Sequence, residues 1–338
     1  MIHLTNKYYA KTKKFIQENI RYIIFTLAIF ILFWIDTPYV IYTPGSFINL
    51  SDRLSVDDTK EEINGTLGMA YVSVIKASPF FVGLSYLNQN WDLVKKDKIK
   101  YDDESMIEAN EREKISMEES ISNAKIAAFK TAGKPYTITS TKHIITYLNG
   151  QDTGLKLFDE IKNVEGQSIN DIEMIRKIVN TKEVGDKVTL EVLRKDNLIT
   201  VTSTVYETKG QKLIGVSLTN VSEVTTEPKI DLKAKSNESG PSGGLMMALS
   251  IYDAITDEDI TKGRKIIGTG TVDLNGNVGA IGGVKYKLIG AIKNKADIFL
   301  VPEENYAEAI EVAKNRGYTI KIISVSSLEA AIKELENE

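Results

Sequence analysis

One apolar run dominates the start of the chain. YIIFTLAIFILFWI, residues 22–35, carries no charge, with Lys7, Lys11, Lys13, Lys14 and Arg21 before it against a single Glu18. At 1.5 Å per residue it spans about 21 Å, short of a ~30 Å hydrocarbon slab. Reaching back to Ile20 and Ile16, with the Arg21 head at the surface, closes most of the gap. Tyr22, Trp34, Tyr39 and Tyr42 suit the two interfaces. The pattern predicts a cytoplasmic tail over 1–19, a transmembrane signal anchor over 20–42 and an exterior remainder. A cleaved signal peptide shares the basic start but would need an A-x-A site, which is absent. A buried core helix is the other alternative.

Beyond the anchor the periodicity changes three times. YVIYTPGSFINL and LGMAYVSVI read as strands, followed by a charged stretch, residues 92–114. In residues 117–133, Ile121, Ala124, Lys125 and Ala128 fall at helical spacing, and Gly133 and Pro135 end the helix. Over 136–206 the elements are short: the strand 143–148, a turn in NGQDTG, a Glu165-Gly166 hairpin, and an amphipathic helix with Ile172, Ile175 and Val179 on one face. Then comes a cleanly alternating hairpin with Asp196-Asn197 at its tip. Residues 209–338 alternate strands and helices, with an Asn275-Gly276 hairpin, as in an α/β or α+β domain.

Composition removes several chemistries. There is no cysteine, hence no disulfide, Cys nucleophile or thiolate metal site. The only histidines are His3 and His143, too few for a His-rich metal centre. The net charge is −4 and no basic stripe argues for nucleic acid. No G-x-x-x-x-G-K-[ST] and no H-E-x-x-H occurs, so no nucleotide, cofactor or metal is expected.

The candidate nucleophile is Ser242 in Gly240-Pro241-Ser242-Gly243-Gly244. Pro241 fixes φ and the glycines permit close approach of a backbone. A helix predicted to begin near Ser242 would aim free N–H groups at an oxyanion. The plainer reading is a helix cap in a Gly/Pro loop. A serine needs a base. His143 lies in the middle segment and His3 in the tail, which leaves a lysine with a pKa depressed by burial.

Two resemblances join these elements. The text L-K-x-x-D-x-I-x-x-V-x-G-x-x-I, followed by a helix and a hairpin, resembles the PDZ domains of bacterial surface proteases. Such domains bind a peptide as an added strand. The chain departs from that pattern: it has TITSTKH, residues 137–143, where a Gly-containing, carboxylate-holding loop is usual before the ligand-binding strand. GPSGG together with Ile281-Gly282-Gly283-Val284-Lys285-Tyr286-Lys287 resembles the proteolytic domain of Lon proteases. That resemblance implies a Ser-Lys dyad, with Ser242 as nucleophile and Lys285 as general base. Lys287, two positions on, is expected to point elsewhere as a solvated lysine. Gly240, Pro241 and Gly243 are implied in positioning or the oxyanion hole, and Thr269 as a partner of the base. Ser239 stands where an acidic residue is common, so Glu238 is a candidate for its role.

The resemblance implies an α+β, Lon-like domain in two parts, 43–133 and 209–338, with an inserted PDZ domain, a small β-barrel plus helices, over 134–208. The anchored whole resembles the secreted PDZ-containing Lon-type proteases of Gram-positive bacteria. The implied activity is ATP-independent cleavage, outside the cell, of peptides or unfolded polypeptides that the PDZ domain recruits or admits. Partners are then a peptide or protein substrate and the membrane, with oligomerisation left open. A catalytically inert surface PDZ adaptor is the alternative.

Overall fold

The computed structural model describes residues 2–57, 59–60, 64–149 and 153–338. The middle of the expected 149–154 turn and the side chain of His3 lie outside the described residues. In chain order, α1 (Ile2–Trp34) leads to β1 (Tyr39–Asn49), β2 (Leu54–Val56), β3 (Thr59–Lys60), β4 (Thr66–Lys76), α2 (Pro79–Ser85), β5 (Asp92–Lys95) and α3 (Met106–Thr131). Next come β6 (Tyr136–Leu148), β7 (Glu160–Val164), β8 (Gln167–Ser168), α4 (Ile172–Asn180), β9 (Lys187–Arg194), β10 (Asn197–Thr204), β11 (Tyr206–Thr208), β12 (Gln211–Leu213) and β13 (Val216–Thr226). The chain ends through β14 (Ile230–Leu232), α5 (Gly244–Ile255), β15 (Lys265–Gly268), β16 (Thr271–Val272), β17 (Val278–Gly279), α6 (Val284–Lys293), β18 (Ile298–Pro302), α7 (Glu303–Arg316), β19 (Lys321–Val325) and α8 (Leu328–Asn337). These elements form two compact units, residues 1–44 with 73–99, and residues 45–72 with 100–338.

The first unit is built on α1. The stretch Lys11–Trp34 is long and apolar enough to cross a membrane, a property that a signal sequence shares. No residue of its apolar window is buried, which does not fit a buried core helix. The helix ends at Trp34, before the expected limit of 42. Pro38 disfavours helical geometry at Thr37, and Tyr39–Tyr42 instead pair antiparallel with Asp92–Lys95. Tyr39 and Tyr42 are therefore strand residues.

In the second unit, β15 pairs in parallel with β4 and with β18, and β18 in parallel with β19. Side chains alternate between two cores, as strand geometry requires. Ile266, Ile298, Leu300 and Ile323 face one core with α3, α5 and α8. Ile267, Phe299 and Val301 face the other with α6 and α7. Burial on both faces is why IFLVP reads as an unbroken apolar run. Leu54, Leu67 and Phe129, from before the inserted segment, share the first core with Leu245 and Leu328 from after it.

The inserted segment has its own antiparallel sheet, ordered β10-β9-β7-β6-β13, and its own core around Ile161, Val188, Leu190 and Val192. It runs past the expected boundary at 208, because β13 pairs with β6 from Val216↔Leu148 to Thr226↔Tyr136. TITSTKH is not a loop but the first half of β6. His143 and Ile144 pair with β7 on one side and β13 on the other, so the strand 143–148 has no free edge there for an added peptide. The sheet instead ends at β13. The β9–β10 hairpin turns at Lys195-Asp196, one residue before the expected tip, with Arg194 opposite Asn197 and both turn residues at positive φ.

Candidate active site

Three segments meet around Ser242. The first is the loop 238–243 leading into α5, whose N-cap is Gly243. Gly240 holds φ +92 and donates its N–H to Glu113 O of α3 at 2.9 Å. Pro241 O accepts Ser120 Oγ at 3.0 Å. A Cβ on Gly243 would lie 2.5 Å from Met69 Sδ, so a larger residue there would make the Met69 side chain of β4 shift. Glu238 sits in a staple rather than at the serine. It takes Arg53 Nη2 at 2.5 Å and Lys235 N–H at 2.8 Å, which ties the loop to the turn after β1.

The second segment follows β15. Thr269 is fully buried, and its Oγ1 donates to Ser242 O at 2.9 Å. Gly270 N–H donates to the same carbonyl at 2.8 Å. Two donors thus pin the backbone of Ser242. At the start of α5, Gly244 donates its N–H to Pro241 O and Leu245 to Gly270 O, so these two donors are already used.

The third segment is α6, and here the two lysines stand opposite to the expectation. Lys287 is 3% exposed, not solvated. It lies on the stripe Val284, Lys287, Leu288, Ala291, all buried, at the i, i+3, i+4, i+7 spacing of an inward helix face. Its Nζ donates to Thr269 Oγ1 at 3.1 Å. Among the described residues no carboxylate pairs with it, and burial alone lowers its pKa from 10.5 to about 8. Lys285 is half-buried, with Nζ 5.3 Å from the Tyr286 ring centroid. Thr269 therefore partners Lys287, not Lys285. Its single hydroxyl proton goes to Ser242 O, so a lone pair receives the lysine.

A cleft of about 360 Å³ opens beside Pro241, lined among others by Glu119, Ser120, Asn123, Thr271 and Asn277. Burial raises the pKa of Glu119, whose Oε1 accepts the Asn220 N–H of β13. His143 is outside this site. It is buried in β6 with Nδ1 2.8 Å from Asn220 Oδ1. Among the described residues, no group of three or more metal-ligating His, Asp or Glu side chains occurs.

Residues 233–337 match the Lon protease (S16) C-terminal proteolytic domain. A Lon protease of Aster yellows witches'-broom phytoplasma is 26% identical over 227 residues, 60% of this chain and 26% of that protein. Lon proteases of Rickettsia felis and Rhizobium meliloti are 35% and 36% identical over 94 and 93 residues, 28% of this chain in each case. The matches span 12% and 11% of those two proteins, so the chain corresponds to a minor part of its curated relatives. Among solved structures, the PDZ domain of the SdrC-like protein Lmo2051 from Listeria monocytogenes is 19% identical with a TM-score of 0.22, covering 24% of this chain and 92% of that one. GtR34C from Geobacillus thermodenitrificans is 24% identical with a TM-score of 0.19, covering 21% of this chain and 92% of that one. The Lon-type match supports a serine peptidase.

Proposed function

We propose that the chain is a membrane-anchored, ATP-independent serine endopeptidase in which Ser242 is the nucleophile and Lys287 the general base. Lys287 takes the place first expected for Lys285. The observation that carries this reading is a buried lysine without a carboxylate partner, one hydroxyl away from the backbone of the serine. Burying an ammonium without a counter-charge is costly. A lysine kept there at a pKa of about 8 is poised to exchange a proton near neutrality.

Neutral Lys287 removes the Ser242 hydroxyl proton as Oγ attacks the scissile carbonyl carbon. The resulting ammonium then protonates the departing amine as the C–N bond breaks, leaving an acyl-serine. Water attacks the ester and gives its proton to Lys287; the ammonium then returns that proton to Ser242 Oγ as the ester C–O bond breaks, which releases the acid and restores the serine and the neutral lysine. Thr269 positions the lysine and the serine backbone together. The cleft beside Pro241 is suited to a substrate side chain. No Walker-type loop occurs in the sequence, so substrates are peptides or flexible, unfolded segments outside the cell. The PDZ-like sheet serves recruitment, with strand addition at its terminal strand β13 in place of β6.

The test is turnover of an internally quenched peptide by the full chain in detergent, without ATP and with EDTA. Ser242→Ala and Lys287→Met should abolish it and Lys285→Ala should spare it. Activity that survives Ser242→Ala would refute the reading.

A further inference from the structure

The first unit carries an apolar surface that the anchor helix does not account for. The segment Pro79-Phe80-Phe81-Val82-Gly83-Leu84-Ser85-Tyr86-Leu87 forms α2 and the turn after it. Tyr86 is 80% exposed and Leu87 83%, among the most exposed large apolar side chains described, and Phe80 is exposed as well. A soluble surface rarely groups apolar side chains of this size.

The position of this segment relative to α1 is fixed by direct contacts. Phe80 stacks on Phe33 of α1 with ring centroids 4.5 Å apart. Phe80 meets Phe81 edge-on at 5.4 Å, and Phe81 lies 6.4 Å from Trp91. Thr37 Oγ1 donates to Ala77 O just before α2, and Lys76 Nζ reaches Trp34 O at 3.4 Å. Whatever depth the end of α1 occupies, α2 occupies beside it. If Lys11–Trp34 crosses a bilayer, Phe33 and Trp34 lie at its outer boundary, and Phe80 lies there with them.

The surrounding charge fits the same boundary. Residues 73–99 contain four lysines, Lys76, Lys95, Lys96 and Lys98, against Asp92 and Asp97. Asp36, directly beyond the span, is paired with Lys96 Nζ at 2.8 Å, while Lys95 and Lys98 are exposed. Aromatic side chains at headgroup depth with lysines next to them are the composition that an anionic membrane surface selects.

We propose that α2 and the Tyr86-Leu87 turn form a second membrane contact, an interfacial foot that inserts its aromatic and leucine side chains into the outer leaflet beside α1. The occupant of the apolar face is lipid, with Lys95 and Lys98 on anionic headgroups. The inference rests on the membrane-anchored reading of α1. It adds that the unit is held at two points, so that its orientation on the membrane is fixed and not merely tethered.

The absence of cysteine makes the test clean, because a single introduced thiol is the only labelling site. Full-length Leu87→Cys, with Leu27→Cys as span control and Glu334→Cys on α8 as aqueous control, is spin-labelled. Each is reconstituted in vesicles of mixed phosphatidylcholine and phosphatidylglycerol. The expected result is a ratio of oxygen to nickel-chelate accessibility several-fold higher at Leu87 than at Glu334, approaching that at Leu27. In Trp34→Phe, which leaves Trp91 as the only tryptophan, brominated lipid should quench the remaining emission. A Leu87 label as accessible to the nickel chelate as Glu334, with Leu27 still in lipid, overturns the foot while leaving the anchor intact. An aqueous Leu27 label overturns the anchor and the foot with it.

Discussion

Replacing Lys287 with methionine separates chemistry from stability in one experiment. Methionine keeps the length and apolar stem of lysine and removes the buried charge. With a pKa of about 8 instead of 10.5, about one Lys287 in ten is neutral at pH 7, against roughly one in three thousand for an unperturbed lysine. The lost base should lower kcat/KM by about 10²–10⁴-fold. The effect on the fold has the opposite sign. The folded pKa lies below the unfolded one, so the unfolded chain binds more protons between about pH 8 and 10.5. Wild-type stability therefore rises with pH across that window. Below it the native state bears the full cost of charging Lys287, about 3 kcal/mol at 1.36 kcal/mol per pKa unit. Lys287→Met should remove that cost, gaining up to about 3 kcal/mol at pH 7 and nothing above about pH 10.5. Wild-type activity should rise about tenfold per pH unit below pH 8 and level off above it. The assays are peptide turnover from pH 6 to 9.5 and urea unfolding at pH 7 and 10.5. Wild-type turnover by Lys287→Met would refute the assignment, as would loss of turnover in Lys285→Ala. A wild-type pH–stability slope retained in Lys287→Met would refute the buried-charge reasoning.

Four further outcomes follow from the same contacts. Ser242→Ala should remove turnover and leave the melting temperature within a degree or two, because the bonds from Thr269 and Gly270 are to its backbone carbonyl. Thr269→Val keeps the shape but loses both hydroxyl bonds. It should lower kcat more than KM and move the activity inflection away from pH 8, read from the pH profile. Gly240→Ala puts a side chain at φ +92, 3.3 Å from Glu113 Oε2, and should cost about 1–2 kcal/mol with a matching loss of kcat, measured by unfolding and turnover. His143→Ala should leave turnover of a short peptide unchanged, since the ring bonds Asn220 in the inserted sheet.

How far the site was legible in the sequence turns on one helix. The motif IGGVKYK marks the segment, and Gly283 starts α6 as such a motif suggests. Which lysine is buried is decided by the helical stripe through Val284, Leu288 and Ala291, and Lys287, not Lys285, falls on it. That signal was present as spacing, but a lysine on an apolar face is ordinarily expected to be solvated. A similar local signal underlies α3. Ser105-Met106-Ile107-Glu108 forms a capping box, and it starts the helix eleven residues before the first expected position, 117. The charged text after it hid the helix, because one face of α3 is solvent-exposed over those turns. The strands of the central sheet were the easier part, since burial on both faces leaves unbroken apolar runs.

The sheet partners could not be read in the same way. Nothing local in HIITYL says that β13, about seventy residues later, will cover its edge, because pairing is a long-range choice among strands of similar pattern. That pairing moves the open edge to β13, whose Asn220 N–H is already donated to Glu119 on α3. Glu119 also lines the cleft beside Pro241, and its neighbour Ser120 holds the Pro241 carbonyl. One turn of α3 therefore touches both the terminal strand of the inserted sheet and the loop that carries Ser242. A peptide added along β13 would compete with Glu119 for the edge or extend beside it. In either case it would meet the loop that carries Ser242 through α3, because the same turn that holds Asn220 also holds Pro241.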